Sequence, residues 1–172
     1  MEEMDGKLLE RIYNRHKGEP GFVMGWEEWE YYVRKAYPVL IDVAKKEQLI
    51  THRVLYKDLV MGGLITYGDI GRLIELYSPE WFQLKIGAIV GGCSEYEYEK
   101  KRPLISSIVV NETTKHPSKG YWGLPGIPAH LRRRGRFWDT DPEEYMDDQM
   151  AVFWASEVKR VHEWWKDPTH DC

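Results

Sequence analysis

The chain has 172 residues, 42% of them apolar and 30% charged, with a net charge of -4. That is enough apolar material for one ordinary core, which excludes wholesale disorder, and no run of 18 apolar residues exists to cross a bilayer. The acidic total excludes a uniformly basic nucleic-acid binder, and two cysteines, Cys93 and Cys172, exclude a disulfide framework or a zinc finger.

The opening stretch MEEMDGKLLER has no apolar signal core, and with so few cysteines a reducing cytoplasm is the expected location. Residues 4–17 carry Leu8, Leu9, Ile12 and Tyr13 at helical spacing and end at the breaker Gly18-Glu19-Pro20-Gly21. Trp26, Trp29, Tyr32, Val33, Tyr37, Leu40, Ile41 and Ala44 mark a second apolar stripe. Pro38 within it predicts a break, hence two helices, the second ending near Gln48. Residues 54–60 suit a further short helix.

Leu64 to Thr66 predicts a very short strand, with Thr66 as N-cap and Asp69 three residues on. A helix follows to about Tyr77, burying Ile70, Leu73 and Ile74. Ser78-Pro79-Glu80 reads as the next helix start, with Phe82, Ile86, Ile89 and Val90 on the buried side. Gly87, Gly91 and Gly92 leave one face of it bare for close approach. Pro103 to Asn111, PLISSIVVN, predicts a strand, Glu112 to Lys119 a turn, and Gly120 to Leu124 a returning strand. A last helix runs from Asp141 or Pro142 to about Lys166, with Met150, Phe153, Trp154, Val158, Val161, Trp164 and Trp165 on its apolar side.

This order, from Tyr37 onward, is that of an α+β protein with a winged helix-turn-helix core, flanked by N-terminal helices and a long C-terminal helix. The implied division is a helical extension at 1–36, the winged-helix core at 37–128, and a basic linker with the last helix at 129–172. In such a core the helix after Ser78 enters the major groove and the 112–119 turn is the wing.

Thr66-Tyr67-Gly68-Asp69-Ile70, Ile86-Gly87, Pro103-Leu104-Ile105, Val109-Val110 and Gly120-Tyr121 together resemble the core of alkylguanine-DNA alkyltransferases and their alkyltransferase-like relatives, over roughly residues 37 to 124. The resemblance implies that Tyr67 lies against DNA. The family's Pro-Cys-His-Arg motif is missing, with Ser106-Ser107 near its place, and the arginine that fills the gap left by a flipped base falls near Leu84. Alkyl transfer to a cysteine is therefore not expected. The chain is also similar to poorly characterised prokaryotic proteins with a comparable PLISSIVVN-type strand and a tryptophan-rich last helix.

The leading expectation is non-enzymatic binding of double-stranded DNA, without a cofactor, metal or membrane. Tyr67, Gln83 and Lys85 would face the duplex, Lys115 and Lys119 would form the wing, and Lys100, Lys101 and Arg102 would touch the backbone. Arg132, Arg133, Arg134 and Arg136, beside Phe137-Trp138, form a local phosphate footprint unless the acids just downstream neutralise them. A second expectation is a protein-interaction module with an aromatic surface, including a homodimer through the Trp-rich last helix. A third is a metal-dependent nuclease using Glu95, Glu97 or Glu99. Eight tryptophans serve either a core of large rings or a stacking surface. High charge with only five carboxamides, Asn14, Asn111, Gln48, Gln83 and Gln149, leans toward a thermophilic source.

Overall fold

Asp5 starts the first helix, α1 (Gly6–His16), by accepting from the N–H groups of Lys7 and Leu8. Residues 3–46, 63–133 and 146–170 are described by the computed structural model. The 54–60 helix, the start of the last helix before 146, and Arg134, Arg136 and Phe137-Trp138 lie outside the described residues.

The second helix, α2 (Trp26–Lys45), is continuous through Pro38, so the expected pair of helices is one. An interior proline removes one hydrogen bond and clashes with the preceding turn, at about 3 kcal/mol. Here Val33, Ala36 and Tyr37 before it and Leu40, Ile41 and Ala44 after it are all buried, and this packing outweighs the defect. The expected division at residue 36 falls inside α2.

Strand β1 (Ile65–Thr66) leads directly into α3 (Tyr67–Leu73), where the Thr66 hydroxyl accepts from Asp69 N–H at 3.1 Å, the cap read from the sequence. Helix α3 stops at Leu73 rather than Tyr77 because Glu75 adopts φ 59 and reverses the chain. Helix α4 (Phe82–Glu99) begins after Trp81, not at Ser78. Two glycines set its position. At Gly71 a β-carbon would stand 2.4 Å from Phe82 Cε2, and at Gly92 it would stand 2.5 Å from Trp29 Cζ2. The first seats the start of α4 on α3; the second lets α4 cross α2 closely.

The segment expected as a long strand is mostly a 3-10 turn, Ile105–Ile108, followed by the two-residue strand β2 (Val109–Val110). β2 pairs with β1 in parallel, Ile65 opposite Val109 and Thr66 opposite Val110. The returning strand is replaced by a second 3-10 turn, Lys119–Gly123. Among the described residues there is thus no antiparallel hairpin, and the sheet is this single parallel pair. Side chains explain the difference. Ser106 N–H donates to Ser94 Oγ (2.9 Å), Leu104 N–H donates to Glu157 Oε1 (2.9 Å), and the Ser107 and Tyr121 hydroxyls share a bond of 2.7 Å. Ser94 and Glu157, with Trp154 Nε1 donating to Ser107 O (2.8 Å), satisfy backbone groups that a neighbouring strand would otherwise have to satisfy.

Helix α5 (Asp148–Lys166), capped by Asp147, closes the core with Met150, Trp154, Val158, Val161 and Trp165 buried. The core runs as one cluster from Met4 to Trp165, and Trp29, Trp122 and Trp154 are among its largest fully buried side chains. The architecture is α+β and predominantly helical. No helix among the described residues is long and apolar enough to cross a membrane.

Candidate binding surfaces

The residues expected to contact DNA scatter. Tyr67 is 8% exposed, and its hydroxyl donates to Ser118 Oγ (2.9 Å) while accepting from Ser118 N–H. Burial pushes its phenol up, and the side chain ties α3 to the 118 loop rather than facing solvent. Gln83 is exposed, but Lys85 beside it is engaged by Glu28. Both stand near the start of α4, while Lys100, Lys101 and Arg102 stand past its end, roughly 22–25 Å or more away along the helix. The Lys100 ammonium lies 5.7 Å from the Tyr96 ring.

Lys115 belongs to a loop closed on Asn111, and Lys119 starts the second 3-10 turn. Asn111 Oδ1 accepts from Thr113 and Thr114 N–H, Lys115 N–H donates to Asn111 O, and Lys115 has φ 62. No hairpin presents this loop as a wing. Arg132 is half-buried and donates to Ile127 O (2.9 Å). Arg133 is exposed, with its guanidinium on the His130 and Arg132 carbonyls.

The three glutamates of the nuclease reading are engaged by cations and a phenol. Glu95 is buried and paired with His16, with Arg15 at 3.5 Å. The Glu95 carboxylate, helped by Glu19, pushes the His16 imidazole up to about 9 from an ordinary 6.5, against the opposing effect of burial. Glu99 accepts from Arg15 at 3.0 Å. Glu97 is fully buried between the Tyr37 hydroxyl, which donates to it, and Arg102 at 3.5 Å. Glu95 and Glu99 therefore face α1 while Glu97 faces α2. No group of three metal-ligating side chains occurs among the described residues.

Ser106 and Ser107 are buried and engaged as above, and burial pushes the Cys93 thiol up, which removes thiolate character. The tryptophans of the last helix are also internal. Trp154 and Trp165 are buried, and Trp164 stacks on His170 with centroids 3.8 Å apart.

Two features remain open. The first is an apolar corner where α3 turns into α4. Leu73 is 61% exposed, Tyr77 80%, Trp81 49% and Leu84 43%. Tyr31 adjoins it, since Lys35 reaches both the Tyr31 hydroxyl (3.3 Å) and Glu75 (3.4 Å). Leu73 was expected inside, but α3 ends there and turns it outward. The cations around the corner are matched: Lys35 by Glu75, Arg72 by Asp69 and Lys85 by Glu28. Glu80 is exposed and has no side-chain partner among the described residues.

The second is a cleft of about 450 Å³ between the end of α4 and α5, lined in part by Tyr98, Lys101, Arg102, Gly126, Glu157 and Arg160. It brings Lys101 and Arg102 together with Arg160, which sequence reasoning missed because only the fold places α5 beside that end of α4. Clusters of consecutive basic residues drew attention to 132–136, whereas a single arginine on an amphipathic helix carries no local signal. No family model, curated protein or solved structure matches this chain.

Proposed function

We propose that this chain is a non-enzymatic protein-interaction module that docks a partner on the α3–α4 corner. The observation that carries it is the exposure of Leu73, Tyr77, Trp81 and Leu84 within one corner of the fold. Large aromatic anchors in the open are the residue types that dominate binding at protein interfaces, and clustered apolar exposure of this kind marks a contact surface rather than ordinary scatter. Charge narrows the partner. With Lys35, Arg72 and Lys85 each matched, Glu80 is the unbalanced charge, so the partner is a chain offering an apolar side chain flanked by lysine or arginine.

The duplex-binding alternative, with its winged-helix geometry, has less support. Tyr67 and Lys85 are engaged within the fold, and Lys100, Lys101 and Arg102 stand at the opposite end of α4 from Gln83 and Lys85. One experiment separates the two. A random peptide library is selected on the wild-type protein and on Tyr77→Ser/Trp81→Ser, and duplex DNA is titrated in parallel at low salt. The expected result is enriched peptides with an apolar anchor beside Lys or Arg that fail to bind the variant, and no duplex binding. Peptides that bind both proteins equally, or tight salt-sensitive duplex binding unaffected by the substitutions, overturn the proposal.

A further inference from the structure

The cleft at the other end of α4 is independent of that corner. Its walls carry three cations whose positions are fixed in different ways. Arg102 lies against Glu97 at 3.5 Å, donates to the Tyr37 hydroxyl at 3.3 Å, and sits 5.9 Å from the Trp165 ring. Arg160 donates to Glu157 Oε2 at 2.7 Å, and Glu157 is itself held by Leu104 N–H on its other oxygen. A guanidinium has five N–H donors, so Arg160 is not exhausted by its contact with Glu157. Glu99 on the rim is matched by Arg15. Lys101 has no side-chain partner among the described residues, so among them it adds one unmatched positive charge to the cleft.

Lys101 also occupies a backbone position that favours glycine. Its φ is 59; its N–H donates to Tyr98 O and the next N–H, of Arg102, donates to Glu97 O. That is the pattern that ends a helix with a left-handed residue, normally Gly. A side chain there is held at an energetic disadvantage. Glu75 does the same at the end of α3, but it has Lys35 as a partner within the fold. Lys101 has no such partner among the described residues, and retained strain of this kind concentrates at binding sites. Beside it, the half-exposed Tyr98 ring rests on Gly126, where a β-carbon would stand 3.0 Å from Tyr98 Cδ2. The glycine, at φ +93, gives the ring its seat.

We propose that this cleft binds a phosphomonoester attached to a flat ring system, the chemistry of a mononucleotide. The Lys101 ammonium and the Arg160 guanidinium would hold the phosphate oxygens, with Arg102 adding its charge to the wall, and the Tyr98 ring would contact the base. A volume of about 450 Å³ suits a ligand of that size. The same chemistry occurs on a free mononucleotide and on the 5′-phosphate of a single strand.

Calorimetric titration of the full chain at low salt uses AMP, adenosine, and a short single strand with and without a 5′-phosphate. AMP is expected to bind saturably and adenosine not at all. Competition of AMP by the phosphorylated strand alone identifies a strand end as the source; failure of both strands to compete identifies the free mononucleotide. Lys101→Gly is the decisive variant. It relaxes the backbone, so it is expected to raise Tm by roughly 2–4 °C while weakening AMP about tenfold. Tyr98→Ala is expected to weaken AMP without changing the response to inorganic phosphate. The proposal is overturned by absence of saturable AMP binding, or by equal AMP affinity in wild type and Lys101→Gly.

Discussion

The two halves of α4 reverse one another. Its amino-terminal end leaves Trp81, Leu84 and the open side of Gly87 in solvent, while its carboxy-terminal half buries Ser94, Glu95, Tyr96 and Glu97. Apolar groups are outside at one end and ionisable groups inside at the other. The buried half is made tolerable by partners on other elements: His16 and Arg15 from α1, Tyr37 from α2, and Arg102 just past the helix. Among the described residues, Trp81, Leu84 and Gly87 of the exposed half have no such cover. A buried charge is stable only when matched, so the carboxy-terminal half is a structural joint. The uncovered apolar end is the half on which the proposed docking rests.

The contrast breaks most readily at Glu97. Glu97→Ala removes the fully buried carboxylate that holds Tyr37 and Arg102 and is expected to cost about 3–5 kcal/mol, read as a lower urea midpoint. Gly92→Ala tests the close crossing beneath. Its β-carbon meets the buried Trp29 ring at 2.5 Å, and relief of that overlap is expected to cost about 1–3 kcal/mol in thermal unfolding.

A pH series sharpens the comparison at His16. Its folded value, about 9, lies above the ordinary 6.5, so protonation favours the folded state. The stabilisation is fully present below about pH 6.5 and disappears as pH rises through about 9. His16→Gln is expected to lose about 1–2 kcal/mol at pH 6, between the values of exposed and buried pairs, and to match wild type in slope above pH 9. A constant difference across that range would remove His16 from the joint. The smallest effect is expected at the other end, where Tyr77→Ser or Trp81→Ser changes stability by no more than about 0.5 kcal/mol while abolishing peptide capture. A large loss of stability there would make the corner part of the core instead.

What was legible in the sequence was local. Helix α1, the Thr66 cap, the close-packing role of Gly92 and the apolar side of α5 all follow from spacing or capping chemistry. Where distant side chains decide, the local signal misleads. Pro38 does not break α2 because both flanks are buried. The β-branched run at 103–111 is mostly a 3-10 turn because Ser94, Glu157 and Tyr121 engage that segment's backbone and hydroxyls. For the candidate surfaces, the fold pairs Lys85 with Glu28 and Arg102 with Glu97, and the Glu28 partner lies far away in the sequence. The outward turn of Leu73 and the meeting of Lys101 with Arg160 depend on helix ends and on packing across the chain, which no short window contains.

The pairing of β1 with β2 carries a kinetic consequence. Four residues in a parallel register cannot hold themselves together, and the whole of α3 and α4 lies between them. Closing that long excursion is entropically unfavourable until the intervening helices have docked on α2. The clasp therefore forms late in folding and opens early under stress. Amide hydrogens of Ile65 and Val110 should exchange with deuterium well before those of Val33 or Val90, so the molecule loosens at its strands while its helical centre still holds.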